Sequence, residues 1–279
     1  MQVQPKYRFY VTLLDCYSDY INSDAIWDKY WGFSQNPPHT PEEFKQKQFQ
    51  QVIDRINRVP FDSEAADKGT AFNEVVDCMV EHRNSGKIDV EKVYETIVYG
   101  QVDNCDPDER WADVEQTGKV KGLNVTYNNR KFYFDINLCR GFANLFKGAL
   151  TQQLVSAILP TSLGAVEVYG YIDELMPLSV HDIKTTGSYF VGKFKTHWQH
   201  IAYPYCLYKS GSDVRLFEYN IAEIDKYDRW KYFKETYLFN PDRDVPILTA
   251  HCEDFIRFIE DNRHLITDKK IFNLPIDNG

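Results

Sequence analysis

The stretch from Gly164 to Thr185 leaves this chain few options. Val166, Val168, Tyr169 and Ile172 favour extended structure, Pro177 interrupts it, and Val180 to Thr185 reads as a return strand. A loop at Met176–Ser179 pairs Leu175 with Val180, Glu174 with His181, and Asp173 with Asp182. Opposed side chains in an antiparallel pair stand about 5 Å apart at Cβ, where like charges repel. A divalent cation between the two aspartates turns repulsion into coordination, because Mg²⁺ and Mn²⁺ take carboxylate oxygens. Lys184, two residues beyond Asp182, shares its face. Two carboxylates and an ammonium then converge on a spot able to hold a metal, orient a water and neutralise a phosphate. A one-residue slip would separate them, so register decides the site.

The 279 residues suffice for a sizeable core. No apolar run approaches about 20 residues, which argues against a membrane partner. The start, MQVQPKYRFYV, lacks a signal-peptide apolar region, and six scattered cysteines (Cys16, Cys78, Cys105, Cys139, Cys206, Cys252) form no CxxC. Both features fit a reduced, cytoplasmic protein. The net charge of −9 is unevenly spread: Asp89–Glu115 carries −7, while Thr117–Lys147, just ahead of the hairpin, carries +5 and suits a phosphate backbone or a solvated face.

Helical spacing predicts an amphipathic helix over 11–31, a polar helix from Pro41 to about Arg58, and a third from an N-cap at Ser63 to about Arg83, burying Ala65, Phe72, Val75, Val76, Met79 and Val80. Residues 84–117 read as a surface excursion with a short helical stretch. Asp103, Asp106 and Asp108 have calcium-loop spacing but lack that loop's glycine and terminal glutamate. Lys119–Tyr127 and Lys131–Ile136 form a hairpin about Asn128-Asn129; Phe142–Leu159 reads as a helix ended by Pro160. A helix from about Val191 puts Gln199 and Tyr203 on one face, and Pro204 kinks it. His181 faces away from Asp182 as a core histidine, His197 and His200 read as surface residues, and His251 and Cys252 as structural. A strand at 213–221 and an amphipathic helix at 249–266 complete the chain.

GYIDE (Gly170–Glu174), DIK (Asp182–Lys184) and QxxxY (Gln199–Tyr203) follow one another here, preceded by KGTAFNEVVD (Lys68–Asp77). In these pieces and their order the chain resembles the PD-(D/E)XK nuclease superfamily, in particular its RecB-like, Cas4-like exonuclease branch, over roughly Tyr10 to Tyr208. The resemblance implies an α/β fold with a restriction-endonuclease-like core: a central mixed β-sheet flanked by helices. It implies a single domain, with the motifs in about 63–208 and helical extensions at 1–60 and 209–279.

The implied activity is metal-dependent DNA hydrolysis, with Mg²⁺ or Mn²⁺ on Asp173, Asp182 and the Ile183 backbone carbonyl. Lys184 would be the charged electrostatic group, because an ordinary lysine is protonated at neutral pH. Gln199 and Tyr203 would contact the DNA backbone or order the metal shell, and the hydroxyls of Thr185 and Thr186 would meet phosphate. Asn73 stands where the branch often has a ligating histidine, and an amide oxygen is the weaker ligand. The late cysteine cluster of iron–sulfur relatives is missing, which implies no iron–sulfur cluster. DNA is the implied partner, with a helicase, recombinase or single-strand-binding protein beside it, in phage or mobile-element DNA processing within a host cytoplasm. Two rivals remain: a non-cleaving nucleic-acid- or partner-binding module on the same fold, and a glycoside hydrolase using Asp173, Glu174 and Asp182, in which Lys184 has no obvious place.

Overall fold

The computed structural model describes residues 4–99 and 113–273. Strand β1 (Tyr7–Tyr10) leads into helices α1 (Val11–Ile21), α2 (Ser23–Trp31), α3 (Pro41–Ile56) and α4 (Glu64–Val80). Strands β2 (Asp89–Tyr99), β3 (Asp113–Tyr127) and β4 (Arg130–Asp135) follow, then α5 (Ile136–Leu145), β5 (Leu150–Leu159), β6 (Val166–Leu175) and β7 (Ser179–Thr186). The chain continues through α6 (Gln199–Lys209), β8 (Leu216–Ile224), β9 (Trp230–Leu238) and α7 (Pro241–Asp261).

The fold is mixed α/β. Its central sheet runs β1-β6-β7-β8-β9, with β5 also on β6; β1–β6 and β7–β8 are parallel, and the other pairs antiparallel. A second, antiparallel sheet holds β2, β3 and β4. Helices flank the central sheet on both faces. One core packs α1, α3, α6 and α7 through Leu13, Val52, Ala202 and Phe255 against Val168, Phe217 and Tyr219. The other packs α4, α5 and the small sheet through Phe72, Phe142 and Phe134 against Ile183, Ala222 and Ile224. None of the described helices is long and apolar enough to cross a membrane.

Local chemistry sets the helix starts. Thr40 and Glu43 form a capping box ahead of Pro41, and Ser63, Asp135 and Asn240 accept from backbone amides at the starts of α4, α5 and α7. Asn128 and Asn129 both adopt positive φ (47° and 60°), the conformation a two-residue hairpin turn requires.

Several expectations are corrected. The run 11–31 is two helices, broken where the Asn22 side chain bonds back to the Ser18 carbonyl. Residues 89–99 are a strand, because β3 runs antiparallel beside them and supplies the backbone hydrogen-bond partners, with register shifts at Val93/Tyr94 and Tyr94/Thr96. The acidic positions Asp103, Asp106 and Asp108 lie outside the described residues. Phe142–Leu159 is not one helix: α5 stops, Gly148 turns at φ 85°, and Leu150–Leu159 pairs with β6. Ala65 is exposed, one turn short of the point where α4 meets the sheet. Helix α6 begins only at Gln199, and β9 had no counterpart in the sequence reading. The segments expected as extensions supply β1, β8 and β9 to the central sheet itself.

Candidate active site

Hairpin β6–β7 has the register read from the sequence. Met176 and Ser179 exchange backbone bonds (2.9 and 3.4 Å), Leu175 pairs with Val180, and Glu174 with His181. The ladder ends there. Where Asp173 and Asp182 would pair, the strands part, β7 goes on beside β8, and Asp173 Oδ2 accepts from the Ile183 amide at 2.8 Å. The parting opens a cleft of about 640 Å³, lined by Asn73, Gly170, Asp173, Asp182, Ile183, Lys184, Gln199 and Tyr203 among others. Seven of the nine site residues expected from the sequence thus share one cavity.

The polar contacts are tight. Gln199, the first residue of α6, donates from Nε2 to Asp182 Oδ1 and accepts from Lys184 Nζ at 2.7 Å. Lys184 Nζ also stands 2.7 Å from Asp182 Oδ2, an ion pair without hydrogen-bond alignment, so that buried oxygen keeps an open lone pair. Burial, then the charge of Asp182, raises the Asp173 carboxyl; burial likewise raises Asp182 against the pull of Lys184. Burial disfavours the Lys184 ammonium, but attraction to Asp182 and Asp173 outweighs it and holds its pKa above the usual value. Lys184 is therefore a charged group at neutral pH and unsuited to act as a base.

Two glycines of the motif stretches are packing devices. A Cβ at Gly170 would lie 2.7 Å from Tyr203 Cε1, so only glycine lets α6 seat Tyr203 on β6. A Cβ at Gly69 would lie 3.2 Å from Thr185 Oγ1, where α4 closes on β7. That contact takes Thr185 to the far face. Thr186 Oγ1 is engaged by Lys193 and Ser188 in the loop beyond, so neither threonine lines the cleft.

The donors present suit a hard cation. Asp173 and Asp182 bring carboxylates, and the buried Asn73 Oδ1 has no partner although Asn73 lines the same cleft. Among the described residues no group of three His, Cys, Asp or Glu side chains converges to hold a metal, so Asn73, the Ile183 carbonyl and water would have to complete any shell.

Asp15 carried no signal in the sequence. Asp15, on α1, accepts from the Trp198 amide at 2.6 Å and so fixes the start of α6, where Gln199 sits. Asp77 (1% exposed) and Glu174 (0%) are further buried carboxyls outside the cleft; burial raises both, and next to burial the charge of Glu74 raises Asp77 and the charge of Asp77 raises Glu174. Glu174 is thus withdrawn from the role a glycoside hydrolase would ask of it. The cleft lining also includes Tyr169 and Tyr171 of β6 itself and, from segments distant in sequence, Tyr10, Arg55 and Arg58. Of the basic run, Lys119 pairs with Glu95, and Arg130 with Asp62 and Asp67. His181 is a core residue, between Ser179 and Asn220. His197 and His200 are half-buried rather than surface residues: His197, ahead of α6, packs edge-on against Phe194, and His200, on α6, stacks on Tyr237.

No protein-family model matches the chain, and no curated protein matches it. Among solved structures, the crystal structure of SSO0001 is matched with 16% identity and a TM-score of 0.31, over 43% of this chain and 55% of that one. The matched part spans about half the length of that protein, and at that TM-score the likeness defines neither fold nor function.

Proposed function

We propose that the protein is a metal-dependent deoxyribonuclease of the PD-(D/E)XK type, with its reacting phosphate in the cleft between β6 and β7. The observation that carries this reading is the convergence of Asp173, Asp182, Lys184 and Gln199, from three elements, where the hairpin ladder parts. Mg²⁺ or Mn²⁺ held by Asp173 and Asp182, with Asn73 and the Ile183 carbonyl nearby, would lower the pKa of an attacking water and offset charge growing on the phosphate. Lys184 keeps its proton and neutralises a non-bridging oxygen. Gln199 holds Lys184 and Asp182 in fixed relation, and the Ile183 amide fixes Asp173. Tyr203, at 3% exposure, braces α6 against Gly170 and acts on substrate only through that placement.

One observation favours a second reading, a non-cleaving nucleic-acid-binding module: Asp182 already has Lys184 at one oxygen and Gln199 at the other. End-labelled linear DNA and closed circular DNA, single- and double-stranded, incubated with Mg²⁺, Mn²⁺ or EDTA, separate the two. The nuclease reading expects metal-dependent cleavage, reduced about 10²-fold or more in Lys184→Ala and Asp182→Asn with unchanged circular dichroism. Loss of linear DNA alone would make it an exonuclease, and cutting of circles an endonuclease. Binding without cleavage by the folded wild type would select the module.

A further inference from the structure

We infer that the cleft takes an unpaired DNA strand, with a base stacked on Tyr171 beside Leu154 and a phosphate on Arg55. The inference deepens the nuclease reading and rests on it for the class of ligand.

Tyr169, Tyr171 and Asp173 lie at alternate positions of β6, and all three line the cleft. The Tyr171 backbone is therefore one two-residue step, about 6.6 Å along the strand, from that of Asp173. Its side chain is 56% exposed, and its cross-strand partner Leu154 is 60% exposed. An open aromatic face that lines a polar cavity thus stands beside an open aliphatic neighbour. Tyr169 is not equivalent, because the Arg8 guanidinium stands 4.9 Å over its ring.

The same cleft is also lined by cations. Arg55 and Arg58 reach the cleft from the end of α3. Arg58 is paired with Asp268 at 2.9 Å. Arg55 makes no ion pair among the described residues; its guanidinium lies 4.8 Å from the ring centre of Phe61, itself 59% exposed. A guanidinium without an ion pair and an open ring, lining one cleft, match the two halves of a nucleotide. Within a duplex the base faces are covered by their neighbours, so a tyrosine can stack only on a base that has left the helix. Phosphate then meets arginine, whose planar fork suits its oxygens.

The test is fluorescence anisotropy in EDTA, which removes any dependence on turnover, using fluorescein-labelled oligothymidylate alone and annealed to oligodeoxyadenylate. The single strand is expected to bind about tenfold or more tighter than the duplex. Tyr171→Ala should weaken single-strand binding about tenfold, with Tyr171→Phe restoring it. Arg55→Gln should weaken it and flatten the slope of log affinity against log salt by about 0.7. Equal or tighter duplex binding, or indifference of the single strand to Tyr171→Ala, would overturn the inference even if the protein cuts DNA. Tight, Tyr171-dependent single-strand binding by a protein that never cuts DNA would leave the inference standing and remove the nuclease reading.

Discussion

Gly170 illustrates how much one residue can carry. It is the glycine of GYIDE, yet it takes no left-handed backbone; its role is to leave room for the Tyr203 ring, which would stand 2.7 Å from an added Cβ. Gly170→Ala must push Tyr203 or β6 aside, and overpacking of a filled core costs about 1–3 kcal/mol. A lowered denaturation midpoint with unchanged m-value is expected, together with weakened activity, since Gln199 starts the same helix. A midpoint equal to wild type would show that α6 shifts freely and that the close approach is not required. At this scale the sequence was informative where chemistry is local: the Asp173, Asp182 and Lys184 carboxylates and ammonium follow from strand period and loop length. It was silent on Asp15 and Arg55, whose roles depend on α1 and α3 packing beside α6 and β6.

Elements were legible where their ends are marked. Asn128-Asn129 between two β-forming runs specifies the β3–β4 hairpin, and both residues occupy the left-handed region. Asn129→Val, a branched residue at φ 60°, should cost about 1–2 kcal/mol, while Asn129→Gly should be neutral or stabilising. Thermal denaturation of the two variants side by side checks this; a stable valine variant would mean the turn relaxes to another type. The stretch 142–159 failed for a physical reason. Its apolar spacing fits a helix from Phe142 through Ile158, and periodicity alone cannot see that β6 offers an open edge to Leu150–Leu159. The same blindness hid β2, whose Val90, Val93 and Tyr94 sit among charged residues without strand alternation and become a strand through β3.

For the whole molecule, the two cores on opposite faces of one sheet make stability a shared property of both ends of the chain. His251 of α7 shows this: it stacks on Trp198 at 4.0 Å between ring centres, approaches the Leu14 carbonyl at 3.1 Å, and is 6% exposed. Burial lowers its pKa to about 4. The unfolded chain takes up this proton near pH 6.5, and the folded protein refuses it until about pH 4. The stabilisation is complete above pH 6.5 and drains away as pH falls to 4, by roughly 3 kcal/mol for a shift of this size. His251→Phe keeps the stacking and removes the titration. It should be less stable than wild type near pH 7, where the Leu14 carbonyl loses its partner, and lose less stability on acidification. Denaturant midpoints of the pair from pH 7 to 4 measure the difference, and parallel curves would mean that His251 is protonated in the fold.

By itself the sequence determined what short-range chemistry determines. It placed the cap at Ser63, the turns at Asn128-Asn129 and Met176–Ser179, and the register that sets Glu174 against His181. It also determined that Asp173, Asp182 and Lys184 would meet, because a hairpin is a local object with a fixed period. Only the tertiary structure decided that β1 and β8 flank that hairpin, that its strands part at Asp173 to open a cleft, and that Tyr10, Arg55 and Arg58 wall it. Those contacts join residues far apart in the chain. Such pairings are chosen by which faces bury together and which backbone groups find partners, and no single stretch of sequence contains that choice.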